Sequence, residues 1–257
     1  MNNLLKGISK HKQKRYQKRF HKDLIAMNYG LGDNYKTSGE KQAIEFIRKN
    51  LSITSPVIFD VGANVGGYTL MLSQIWNGQA SIHCFEPSGK TFSQLQENTK
   101  GLNNVTLNNI GCSDTEHAMP LYSNSNLSGL TSVYNRNLDH VNLKMDEVST
   151  AKFTTIDNYC KKNNINHIHF LKMDIEGHEL AALQGASFML ASDSIDYIQF
   201  EFGGCNIDSR TYFKDFYYLL QDKYRIYRIL KNGLYEITHY SEYCEIFITV
   251  NYLAIHR

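Results

Sequence analysis

Disulfide and zinc signatures are missing from this chain. Its five cysteines (Cys84, Cys112, Cys160, Cys205, Cys244) are odd in number, scattered, and without any C-x-x-C spacing. That excludes a disulfide framework or a zinc knuckle and fits reduced, mostly buried thiols in a cytoplasmic protein. No run of 18 apolar residues occurs, which excludes a membrane-spanning helix. The basic N-terminus lacks the apolar core of a secretory signal. Two phosphate-binding signatures are absent as well. A dinucleotide loop needs G-x-G-x-x-G and a triphosphate loop needs G-x-x-x-x-G-K-[ST], but the glycines here fall at Gly62, Gly66 and Gly67.

What is present begins with an uneven charge. Residues 1–30 hold eight Lys or Arg (Lys6, Lys10, Lys12, Lys14, Arg15, Lys18, Arg19, Lys22) against Asp23 alone, so the other residues keep 19 bases and 24 acids. Such an arm suits a peripheral contact with an anionic membrane surface. The acidic remainder argues against extensive nucleic-acid binding. Tyr16, Phe20 and Leu24 fall at helical spacing. The boundary is therefore drawn with residues 1–38 as a basic arm or helical extension and 39–257 as one domain.

Strand and helix signals alternate through that domain. Strands are expected at Val57–Val61, Ser81–Phe85, Val105–Ile110, His167–Asp174 and Ile195–Phe202. Helices are expected at Gly39–Leu51, through Trp76, after Pro87, over Thr155–Lys162, His178–Leu190 and Arg210–Asp222. The tail (Tyr224–Leu230, Leu234–Thr238, Glu245–Ile255) alternates as antiparallel strands do. Residues 111–150 are polar, with only short extended pieces such as Met119–Tyr122. The fold class is α/β: a doubly wound, mostly parallel, seven-stranded Rossmann-like sheet closing in a C-terminal antiparallel hairpin.

Val57-Ile58-Phe59-Asp60-Val61-Gly62-Ala63-Asn64-Val65-Gly66-Gly67-Tyr68-Thr69 reads as a buried strand, a tight turn and a helix start. Asp60 would repel a phosphate but can accept from a ligand ammonium. Glu86, ending the next strand before Pro87, can take both hydroxyls of a ribose. A ligand with an ammonium and a ribose but no phosphate is S-adenosylmethionine.

Four blocks in order resemble the FkbM family of methyltransferases: Phe59–Gly66 with Tyr68-Thr69, Phe85-Glu86-Pro87, Gly111-Cys112-Ser113-Asp114, and Leu171–Glu179. Leu183-Gln184-Gly185-Ala186 and Phe200-Glu201 also fit. The resemblance implies a class I methyltransferase fold, S-adenosylmethionine as donor, and a hydroxyl as acceptor, among them sugars and polyketide-type alcohols. Carried over by position, Asp60, Gly62, Ala63, Asn64, Gly66 and Tyr68 would surround the methionine end. Glu86 with Pro87 would hold the ribose, and Ser113 with Asp114 would lie near the adenine. Asp174 would sit beside both the sulfonium and the acceptor.

Methyl transfer is an in-line displacement, so the acceptor oxygen must be held opposite the sulfur and lose its proton as the bond forms. The candidate bases, in order, are Asp174, Glu176 and His178. Glu201 is expected to accept from substrate hydroxyls. Asn126 and Ser128 belong to a small-polar segment, Asn124–Gly129, expected to cover the acceptor. Asp174, Glu176 and Glu201 have the oxygen chemistry for a divalent cation, but the preferred reading has no metal. Two other functions remain open. A nucleic-acid methyltransferase could use the basic arm, although the three prolines (Pro56, Pro87, Pro120) make no [DN]-P-P-[YFW] motif. A non-catalytic protein could keep the pocket alone.

Overall fold

A computed structural model describes residues 10–31, 34–124 and 129–257. The elements run α1 (Lys10–Ala26), α2 (Glu40–Asn50), β1 (Val57–Val61), α3 (Gly67–Ile75), β2 (Ser81–Phe85), α4 (Gly89–Asn98), β3 (Val105–Asn108), β4 (Gly111–Cys112) and β5 (His117–Ser123). There follow β6 (Glu147–Thr154), α5 (Ile156–Lys162), β7 (Ile168–Met173), α6 (Glu179–Gln184), α7 (Ser187–Ala191), β8 (Ile195–Phe202), α8 (Cys205–Ser209) and α9 (Phe213–Leu220). The chain closes with β9 (Tyr224–Leu230), β10 (Gly233–Glu236) and β11 (Val250–His256). The main sheet has eight strands in the order β10-β9-β11-β8-β7-β1-β2-β3. Strands β3, β2, β1, β7 and β8 pair in parallel, whereas β11, β9 and β10 are antiparallel. The expected architecture is present, with one more strand than the seven expected because β10 pairs as a separate edge.

Side-chain parity assigns the two faces. Ile58 packs with Ile44, Leu72 and Trp76 of the α2/α3 layer, while Phe59 and Val61 join the opposite core with Leu183, Phe213 and Phe216. Helix α2 presents Ala43, Ile44 and Ile47 at helical spacing to its core. Helix α9 does the same with Phe213, Phe216, Tyr217 and Leu220, leaving Tyr212 and Tyr218 exposed. Its rings therefore pack the interior. Leu24 anchors the end of α1 in the core, and Tyr16 and Phe20 stay exposed. No helix among the described residues is long and apolar enough to cross a membrane.

Two expectations change. The segment expected as one helix, His178–Leu190, is two, α6 and α7. They divide at Gly185, where any Cβ would sit 2.0 Å from the Ser113 carbonyl oxygen, so the chain turns to let the end of β4 approach. The polar stretch 111–150 builds a second sheet, β4-β6-β5, over a small core of Leu121, Ala151 and Phe153. Most of β6 is exposed, so its apolar alternation was too short to read.

Candidate active site

The chain order reverses between β1 and β7, and a cleft of about 700 Å³, counted out to solvent, opens beyond the carboxyl ends of β1, β2 and β7. Gly62 and Asn64 line it from the β1 turn, Glu86 and Pro87 from β2, and Asp174, Glu176 and His178 from β7. Gly62 (φ 78°) lets the first and last of these turns touch, since a Cβ there would fall 1.9 Å from the Asp174 carbonyl oxygen.

Glu86 joins two loops. Its Oε2 accepts from the Asn64 amide at 3.0 Å and its Oε1 from the Ser88 amide at 2.9 Å. Each oxygen keeps a second acceptor direction, which is what two ribose hydroxyls require. Burial raises its carboxyl to about 7 despite those two amides.

Asp60 requires a correction. It shares the sheet face of Ile58, so it points beneath α3 and has no exposed surface. Its Oδ2 accepts from the Thr69 hydroxyl at 2.7 Å, and its Oδ1 lies 3.2 Å from Lys172 Nζ. A ligand ammonium would meet Asp60 only through Lys172 and its neighbours, not directly. Tyr68 is likewise turned away, its hydroxyl donating to Gln199 Oε1 at 2.8 Å. Ala63 and Gly66 shape the turn from behind: the Ala63 amide donates to the Phe85 carbonyl, and Gly66 (φ 91°) precedes α3.

Three groups considered as the base differ in their commitments. Glu176, in the left-handed region at φ 55°, is ion-paired with Arg136, whose Nε also lies 3.4 Å from Asp208. His178 has both ring nitrogens engaged. Ser113 donates to Asp114 Oδ1 (2.9 Å), so its oxygen accepts from His178 Nε2–H (2.9 Å), and His178 Nδ1 then accepts from the Tyr134 hydroxyl (3.1 Å). Burial drops its pKa to about 4, so the ring is neutral at pH 7. Ser113 and Asp114 thus hold His178 instead of lining the cleft themselves. Asp174 alone keeps an open carboxylate, its side chain 43% exposed and Lys172 Nζ 3.7 Å away. Lys172 is buried yet held above its ordinary value: burial opposes the charge, and Asp60 and Asp174 more than offset it. Glu201 stands behind this group at the end of β8, 8% exposed. Asn126 and Ser128 lie outside the described residues.

Sequence reasoning missed the segment that closes the cleft. Ser132 donates to the Glu176 carbonyl at 2.8 Å, Tyr134 meets His178, and Arg136 pairs with Glu176. No local pattern marks these residues, because their partners lie 40 or more sequence positions away. Apolar lining from Phe85, Leu121 and Phe153 was also unforeseen.

Buried acids make stability fall with pH. Burial raises Glu40, Glu86 and Glu179 from 4.5 to about 7 and Glu176 to about 8. The folded chain therefore binds more protons than the unfolded one between about pH 5 and 8, and loses stability as pH rises through that window. His178, lowered to about 4, acts oppositely below its ordinary 6.5, as do His83 and His169, which burial also lowers. From pH 6.5 to 8 the carboxyls dominate the slope. The ligand-free Tm should be lower at pH 8 than at pH 6.5 by calorimetry, and a rise would contradict these burials.

The lining fits a phosphate-free nucleoside. Its residues include several carboxylates but no Lys or Arg.

The chain is 24% identical over 176 residues to Methyltransferase 1 of Beauveria bassiana, covering 59% of this chain and 70% of that protein. It is 25% identical over 166 residues to the hexuronic acid methyltransferase AglP of Haloferax volcanii, covering 64% of each. Among solved structures, methyltransferase FkbM from Methylobacillus flagellatus superposes with a TM-score of 0.47 at 17% identity, covering 80% of this chain and 45% of that one. The model of the methyltransferase FkbM domain matches residues 60–229, from the end of β1 into β9, and the chain belongs to this family of S-adenosylmethionine-dependent methyltransferases.

Proposed function

We propose that the chain is an O-methyltransferase acting on a hydroxyl of a sugar, glycan or other small alcohol. The observation that carries this reading is Asp174: of the three candidate bases it is the one whose carboxylate is open to the cleft, with Lys172 Nζ 3.7 Å away. Bound S-adenosylmethionine supplies an electrophilic methyl on a sulfonium. The chain's part is positional. Glu86 accepts from the ribose hydroxyls, with Asn64 and Ser88 fixing its rotamer. Lys172 holds the Asp174 carboxylate in place, and an Asp174 oxygen takes the proton of the acceptor hydroxyl as its oxygen meets the methyl. Ser132 and Arg136 keep the β7–α6 turn closed around the reacting groups.

A relative named as a hexuronic acid methyltransferase supports a sugar acceptor, although the chain spans 64% of that protein's length. The body's surplus of acids speaks against a nucleic-acid substrate, and the basic α1, Lys10–Ala26, suits an anionic membrane surface. Residues 39–257 act as the methyltransferase domain with 1–38 as its extension. Incubation with ¹³C-methyl-labelled donor and a lysate of the host should give products whose methyl carbon resonates as an ether. Labelled N-methyl or base-methyl products, or no product with donor bound, would refute O-methylation.

A further inference from the structure

Away from the cleft, one buried cation stands without a counter-ion. Lys172 and Arg136 each hold two carboxylates. Arg228, on β9 and 9% exposed, differs. Among the described residues its Nη1 donates to the Tyr29 hydroxyl at 2.7 Å, its Nε finds no acceptor, and no carboxylate pairs with it. The sheet register explains what surrounds it. Tyr235 of β10 and Tyr252 of β11 stand directly opposite Arg228 on its two neighbouring strands, so the three side chains share one face. The Tyr29 and Tyr235 ring centres lie 4.8 and 5.1 Å from the guanidinium carbon. Two ring faces offset part of the cost of burying the charge but leave it unneutralised.

This row lies in a groove of about 1030 Å³, counted out to solvent, by the β10 edge of the main sheet. The groove shares no lining residue with the cleft. The row from Arg228 through Tyr252 and Phe200 to Met173 crosses three strand spacings, about 14 Å. Its lining is rich in ring faces and hydroxyls and has no amide side chain. Tyr235 is 56% and Tyr243 90% exposed, so both rings are open to a ligand. One acid, Glu236, belongs to the lining, but it is exposed and solvent screens its charge. The basic α1 reaches the groove through Ala26 and adds a positive field.

We propose that this groove is a second binding site, for a sugar bearing an oxyanion, either a carboxylate or a phosphate. The planar guanidinium offers its remaining N–H groups to two oxygens of the anion, which a point cation could not do. The sugar ring lies against Tyr235 or Tyr243, whose faces are apolar and whose hydroxyls, with that of Ser241, meet its alcohols. A concave floor takes a group carried on a small ring, whereas a membrane presents a flat layer of headgroups. The site goes beyond the O-methyltransferase reading and does not depend on it.

The test titrates the full chain at pH 7.5 with methyl glucuronide, glucose 1-phosphate and methyl glucoside, with affinities read by NMR. At least one anionic sugar should bind at least tenfold more tightly than the glucoside. Arg228→Gln should bring that preference below threefold, and Tyr243→Ala should weaken the anionic sugar at least threefold. Asp174→Asn, in the cleft, should leave its affinity unchanged, which locates the binding. Failure of both anionic sugars to bind, or a glucoside bound as tightly, overturns the proposal. So does loss of binding in Asp174→Asn, or an undiminished preference in a folded Arg228→Gln chain. If Arg228→Gln does not fold, Tyr243→Ala decides. Binding to phosphatidylglycerol vesicles with neither anionic sugar bound would assign the charge to a lipid surface and overturn it too. None of these arms needs bound donor, so failure of the methyltransferase reading would not alter them.

Discussion

Replacing Asp174 by Asn should lower kcat by about 10²- to 10⁴-fold, the range expected when a positioned base is removed. The amide keeps the shape of the side chain and its place at the mouth of β7, but it cannot take a proton. Donor affinity should stay within about threefold, because the loss belongs to the transition state and not to donor binding. Lys172 keeps Asp60 at 3.2 Å, so the variant leaves no orphaned buried cation and should fold. Single-turnover kinetics with labelled donor separate the two effects. A kcat within a few-fold of wild type would move the base elsewhere. Glu176 and His178 are poor replacements, since the first is bound by Arg136 and the second spends both nitrogens on Ser113 and Tyr134.

Glu86→Gln should weaken donor binding by roughly 10- to 100-fold. Two charge-assisted hydrogen bonds to ribose hydroxyls become neutral ones, and each such bond to a charged group is worth about 1.5–3 kcal/mol. The amide nitrogen also faces an amide donor, because Asn64 and Ser88 both give their N–H to this carboxylate. Wild-type affinity should in addition depend on pH. Burial holds Glu86 at about 7, so below that value the carboxyl carries a proton and loses acceptor capacity exactly where the ribose must donate. Affinity should therefore fall as pH drops from 8 to 6, and the Gln variant should lack that dependence. Calorimetry across this range checks both statements. Unchanged affinity in the variant would remove Glu86 from donor recognition.

Much of the fold could be read because its determinants are local. Val57–Val61, Ser81–Phe85 and Ile195–Phe202 are buried apolar runs bounded by turns, and their ends agree with the structure. The second sheet could not be read, since Ala151 and Phe153 supply most of β6's buried face. The site divides along similar lines. Gly62, Asn64, Glu86 and Asp174 sit at strand ends, where chain position alone predicts a place at the cleft. Asp60 sits one residue before its strand's end, and parity turns it under α3 toward Thr69 and Lys172. Arg136, Ser132 and Tyr134 close the cleft through contacts that only the tertiary fold brings together.

Donor recognition is the claim on which the rest depends, and titrating the unmodified chain with S-adenosylmethionine and, separately, with NAD and ATP tests it most directly. One S-adenosylmethionine per chain, with neither phosphate-bearing nucleotide bound, is the expected result at pH 8. Binding of NAD or ATP in place of the sulfonium nucleoside, or no binding of any of the three, would contradict it.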